Sequence, residues 1–164
     1  MAGNREYAEG TSVSVEKSRS EIESTLRRFG ASQFLSGWDQ EMAYIAFKYR
    51  DRAIQLTLTL PERGKFLRTP HRRQVRNAAE VEKAWEQACR ESWRCLALMV
   101  KAKLVAVEKG VATLENEFLA YTMLPDGGTV AQWLQPQIQQ MITDGCMPQR
   151  LLPAAPAATE RSPL

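Results

Sequence analysis

The sequence predicts an α+β fold: a three-stranded antiparallel sheet, in the order one, two, three, covered by an N-terminal helix and a long helix, with further C-terminal helices. Three observations lead there. Ile54, Leu56, Leu58 and Leu60 alternate strictly with Gln55, Thr57 and Thr59, the period-two pattern of a half-buried strand. Val15, Ile22, Leu26 and Phe29 instead advance along a single helical stripe. Between Asn77 and Gly110 there is no glycine or proline, and Asn77 with Glu80 supplies a capping box, so a helix of about 32 residues, ~48 Å long, is allowed.

The elements follow in order. Ser18 with Glu21 reads as a capping box for a helix over residues 16–29, which Gly30 stops. Residues 32–38 form a weaker strand, closed by a turn at Asp39 and Gln40. Ala43, Ile45, Phe47 and Tyr49 share one face of a second strand, and the polar Arg50, Asp51 and Arg52 join it to the third as a hairpin. Pro61 ends that strand, and residues 62–76, broken by Gly64 and Pro70, form a long polar loop.

In the long helix, Val81, Trp85, Ala88, Ser92, Cys95 and Met99 step by fours and threes beside a second stripe through Trp93, Leu96, Val100, Leu104 and Val107. Such breadth suits a helix that touches both a sheet and another helix. Thr113 caps a short third helix containing Leu114, Phe118 and Tyr121. The run L-P-D-G-G-T at residues 124–129 is a tight turn, after which Thr129 caps a last helix carrying Pro136 and ending at Gly145.

With 164 residues, 44% hydrophobic and 25% charged, the chain has the length and usage of one globular domain. The expected organisation is a flexible arm over residues 1–13, the domain over 14–152 and a disordered Pro/Ala-rich tail over 153–164. The most apolar run, residues 95–107, is broken by Lys101 and Lys103, well short of the roughly 20 apolar residues of a membrane span. No apolar signal region stands at the N-terminus, so the expected address is cytoplasmic, without membrane contact.

The chemistry of catalysis is poorly represented. His71 is the single imidazole and sits beside Arg72 and Arg73. Glu115 and Glu117, like Glu21 and Glu23, are two apart and splay onto different helix faces. Cys89 and Cys95 lie about 240° apart on a helix, and Cys146 and His71 are far from both, so no zinc ligand set forms. Phosphate-cradling glycine motifs are missing. The expectation is no enzyme, no metal and no cofactor.

Charge is uneven. Residues 48–76 hold nine Lys or Arg against Asp51 and Glu62, while the whole chain is only +3. Such a segment suits phosphate backbones, with Lys65, Arg68, Arg72, Arg73 and Arg76 as the contacts and DNA or RNA as the partner. Tyr44, Phe47, Tyr49 and Phe66 lie near it in sequence and would stack on bases where they face outward. The bland alternative is a solvated loop beside an ordinary core.

Taken together, Y-A-E-G-T-S-V-S-V-E-K-S-R-S-E-I-E from Tyr7, W-E-Q-A-C-R from Trp85, L-P-D-G-G-T-V-A-Q-W from Leu124 and M-P-Q-R-L-L-P from Met147 resemble an uncharacterised family of small proteins encoded by tailed phages, prophages and other mobile elements. The resemblance covers nearly the whole chain except its tail and brings no catalytic or binding residues. It implies an accessory protein in a bacterial cytoplasm, acting on phage nucleic acid or on host machinery. The order helix, three strands, helix is also similar to double-stranded-RNA-binding domains, although the loop between the first two strands is short and lacks their His-bearing motif. The expected function is thus a non-enzymatic accessory that binds nucleic acid through the basic segment. The alternative is a protein-interaction module that inhibits or modulates a host enzyme or defence complex, with Trp93 and Trp133 as candidate exposed anchors.

Overall fold

The computed structural model describes residue 8 and residues 10–39, 41–70 and 74–145. The expected disordered tail lies outside these residues. The elements are α1 (Val15–Arg28), β1 (Gln33–Trp38), β2 (Met42–Tyr49), β3 (Arg52–Thr59), α2 (Ala78–Glu108), α3 (Leu114–Phe118) and α4 (Val130–Asp144), with single 3-10 turns at Arg63–Phe66 and Leu119–Tyr121. The sheet is antiparallel in the order β1-β2-β3. This is the α+β architecture that the sequence predicts.

Register explains which side chains go inward. Phe34 pairs with Phe47 and Phe47 with Ile54, Ser36 with Ile45 and Ile45 with Leu56, and Trp38 with Ala43 and Ala43 with Leu58, so one pleat face carries nearly all the large apolar groups. Ala43, Ile45, Phe47, Ile54 and Leu56 are buried there against Ile22 and Leu26 of α1 and Trp93, Leu96, Val100 and Leu104 of α2. Phe118 closes the far end, meeting Phe47 edge to face at 5.7 Å. On the opposite pleat face Tyr44 lies across Gly37, where an added Cβ would stand 2.4 Å from its ring. A larger residue at position 37 would have to displace that ring.

α1 spans nearly the expected residues but is capped one turn earlier than its sequence suggests. Ser14, in extended conformation, is the N-cap, and its Oγ accepts from the Lys17 backbone N–H at 3.2 Å. Ser18 therefore sits inside the helix on the stripe with Ile22 and Leu26, fully buried, and its Oγ has no partner among the described residues. Glu21, freed from capping, reaches across to α2, where its carboxylate accepts from the Arg94 guanidinium and lies 3.6 Å from Lys101 Nζ. The expected box at Ser18 and Glu21 is thus replaced by an interhelical ion pair, because the buried face of the helix takes position 18. At the other end Ala31 N–H donates to Leu26 O and Gly30 N–H to Arg27 O, both at 3.0 Å, the left-handed stop that Gly30 at φ 91° permits.

The other caps form as expected. Asn77 and Glu80 exchange both bonds of a capping box at the start of α2, as do Thr129 and Gln132 at α4, and Thr113 caps α3. Of the stretch assigned to the N-terminal arm, Gly10 N–H donates to Glu91 Oε1 and Thr11 O accepts from Gln87 Nε2, which ties this part of the chain to α2. Among the described residues, no helix is long and apolar enough to cross a membrane.

Two outcomes check this account. Ser14→Ala should cost about 1 kcal/mol in urea denaturation, whereas Ser18→Ala should leave stability unchanged or raise it by up to about 1 kcal/mol, since it removes a buried unpaired hydroxyl. The reverse order would return the cap to Ser18. Second, Arg94 holds the Glu21 carboxyl below its ordinary 4.5, outweighing the upward push of burial, with Lys101 assisting. A carboxylate whose pKa is lowered on folding stabilises the protein above the unfolded value and loses that contribution as pH falls through the folded one. Glu21→Gln should therefore destabilise by about 1 kcal/mol near neutral pH, with the deficit shrinking as acidification passes below 4.5 and through the lowered folded value.

Candidate functional site

The basic residues near one another in sequence do not share one place. Lys48, Arg50 and Arg52 belong to the β2–β3 hairpin, whereas residues 62–76 leave from the opposite end of β3, about 26 Å away at 3.3 Å per residue. Charges that far apart are screened from one another at physiological salt. Arg50 is also engaged locally, 3.8 Å from Glu115 and over the Tyr49 ring at 5.2 Å. The hairpin end and the loop end are separate basic sites, and of the predicted contacts Lys65, Arg68 and Arg76 belong to the second.

That loop is held in shape. Trp85 on α2 donates its indole N–H to Pro61 O at 2.7 Å, and the Arg63 guanidinium lies over its ring at 4.0 Å while donating to Glu82 at 3.0 Å. Beyond the 3-10 turn the chain doubles back: Arg68 bridges Val75, Thr69 N–H donates to Gln74 O at 2.9 Å, and Arg76 N–H donates to Leu67 O at 2.9 Å. The Arg76 guanidinium braces this small hairpin by donating to Phe66 O at 3.1 Å and Arg68 O at 3.4 Å. Arg76 therefore has a structural duty that its sequence position does not announce. His71, Arg72 and Arg73 lie outside the described residues.

Between this hairpin and the outer face of α2 runs an open groove of about 1220 Å³. Lys65, Arg68 and Arg76 stand on the loop side, and Lys83 and Arg90 on the helix side. Its two acids are already occupied: Glu80 caps Asn77 N–H at 3.0 Å, and Glu91 accepts from Gly10 N–H at 2.8 Å and Gln87 Nε2 at 2.9 Å. Lys65 stays exposed, 3.9 Å from Glu62. The groove is therefore lined by five cations and two carboxylates; the carboxylates are taken up in hydrogen bonds, and among the cations Arg76 braces the loop and Arg90 lies 3.9 Å from Glu86.

Arg90 also lines a second, smaller cleft of about 430 Å³ on the other side of α2, between the start of α1 and the end of β1. Three of the four tryptophans meet there: Trp93 is 4% exposed on its floor, Trp85 forms a wall, and Trp38 is 72% exposed at its rim. Arg19 donates to Ser36 Oγ and lies over the Trp93 ring at 5.8 Å, and Arg90 donates twice to Gln87 Oε1 at 3.0 and 2.7 Å. Cys89 is in the same wall, where burial pushes its thiol above the ordinary range and keeps it protonated, the opposite of an activated nucleophile.

Of the aromatics that the sequence places beside the basic segment, Phe66 lines the basic groove. Phe47 is in the core, and Tyr44 is on the outer sheet face. Sequence reasoning missed the tryptophan cleft, because positions 38, 85 and 93 come together only in the folded chain, around one cleft bordered by α1, α2 and the end of β1. The eight-residue spacing of Trp85 and Trp93 was the one available signal. Among the described residues, no three His, Cys, Asp or Glu side chains gather around one point. Glu115 and Glu117 pair separately with Arg50 and Lys103.

Compared with protein-family models, curated proteins and solved structures, the chain matches none.

Proposed function

We propose that this chain is a non-enzymatic accessory protein of a phage or mobile element that binds nucleic acid along the groove between the loop hairpin and α2. The observation that carries the reading is the charge arrangement of that groove: Lys65, Arg68, Arg76, Lys83 and Arg90 surround it while Glu80 and Glu91 spend their carboxylates on backbone and side-chain donors. Residues 62–76 alone hold six bases against Glu62, so Arg72 and Arg73 add to the same field. Phosphates would take the place of counterions there, and no pattern of amide or guanidinium pairs suited to reading base edges accompanies them. The sequence resemblance to mobile-element proteins supports the same setting, a bacterial cytoplasm.

A second reading, an interaction module directed at a host protein, draws support from α4. That helix has no buried residue, carries Asp144 as its only charge, and leaves Trp133, Ile138 and Ile142 exposed, Trp133 to 57%. Trp93, the other anchor considered, is a core residue and unavailable to a partner. Trp133→Ala distinguishes the readings, since it should abolish capture of a host protein and leave nucleic-acid affinity unchanged.

Titration of a labelled oligonucleotide at two salt concentrations tests the main proposal. Affinity should fall steeply with salt, and Lys65→Ala with Lys83→Ala should weaken binding and flatten the log-log slope by about 1.5 to 2. Arg72→Ala with Arg73→Ala should act similarly. Failure to bind single-stranded DNA, duplex DNA and duplex RNA at low salt would return the groove to a solvated surface.

A further inference from the structure

We infer that the tryptophan cleft is a pocket for an unpaired base, so that the nucleic acid carried by the neighbouring groove is single-stranded; the inference rests on the proposed function and deepens it. The cleft and the groove lie on opposite flanks of α2 and meet at Arg90, so a strand that lies on Lys65 and Lys83 and turns around the helix at Arg90 would bring a base to the cleft. Its volume of about 430 Å³ falls within the usual span of small-ligand pockets. Its charge is balanced, Arg19 and Arg90 against Glu16 and Glu86, which suits a neutral ring better than a phosphate. The complementarity is therefore divided: cations outside for the backbone, apolar aromatic walls inside for the base.

The walls are also fixed in advance. Trp85 is clamped between its bond to Pro61 O and the Arg63 guanidinium, and Trp93 is held in the core beneath Arg19. Trp38, by contrast, leaves most of its indole in water at the end of an edge strand, a costly position for a large apolar ring unless something stacks on it. Base stacking on an aromatic side chain is sequence-tolerant, since every base has a π-face. Bases locked in a duplex are not free to enter, so the cleft discriminates against double strands.

The test compares a short oligothymidylate, the same strand with its bases removed, and a duplex of equal length, each binding to the full chain. Wild type should bind oligothymidylate roughly tenfold tighter than the abasic strand, with quenching of tryptophan fluorescence. Trp38→Ala should erase that preference while leaving abasic-strand affinity and its salt dependence unchanged, and Trp38→Phe should keep most of it. Equal affinity of wild type for intact and abasic strands, or a preference that survives Trp38→Ala, would overturn the base pocket and leave the basic groove standing. Lack of binding to every strand would overturn both.

Discussion

The 31-residue helix α2 is about 46 Å long, whereas the strands it packs against extend about 26 Å. A sheet of that size cannot cover such a helix, and the rest of the fold follows from this mismatch. Trp93, Leu96, Val100 and Leu104 meet the sheet and α1, while α3 and Phe118 cover the C-terminal part of the helix. The N-terminal part projects past the sheet, and there the 62–76 loop is stapled to it through Trp85 and Arg63. The groove is therefore a consequence of helix length, and the cleft opens beside it at the edge of the sheet, between Trp38 of β1 and Trp85 and Trp93 of α2. Glu21 fixes the angle of α1 on this helix through Arg94 and Lys101, and thereby sets the mouth of the cleft, which the first turn of α1 borders.

Much of the fold was legible because local chemistry and tertiary packing agree. The alternation of residues 54–60, the box at Asn77, the cap at Thr129, and the glycine stops at Gly30 and Gly145 are signals whose cause lies within a few residues. The miss at Ser18 and Glu21 has the opposite character. A serine followed by a glutamate three positions later matches a capping pattern anywhere, and only the burial of position 18 against the core shows that the helix had already begun at Val15.

The candidate site was less legible, for two physical reasons. Counting charge along the chain merged the hairpin bases with the loop bases, although β3 holds them a strand length apart. The tryptophan cleft is formed by residues from β1, α1 and α2, and convergence of that kind has no periodicity to read. Arg76 illustrates the same limit at the level of one side chain: as a cation in a basic run it suggests a phosphate contact, yet its guanidinium is bonded to the carbonyls that shape the loop.

The central claim is that nucleic acid meets this chain at the overhanging end of α2 and nowhere on α4. The four indole N–H groups provide a direct readout, because Trp38, Trp85 and Trp93 line the cleft while Trp133 stands on α4. In a nitrogen-proton correlation spectrum, adding a short single-stranded oligonucleotide should shift the Trp38 and Trp85 indole signals and leave that of Trp133 in place. Movement of Trp133 alone, or of none of the four at saturating oligonucleotide, would contradict the account.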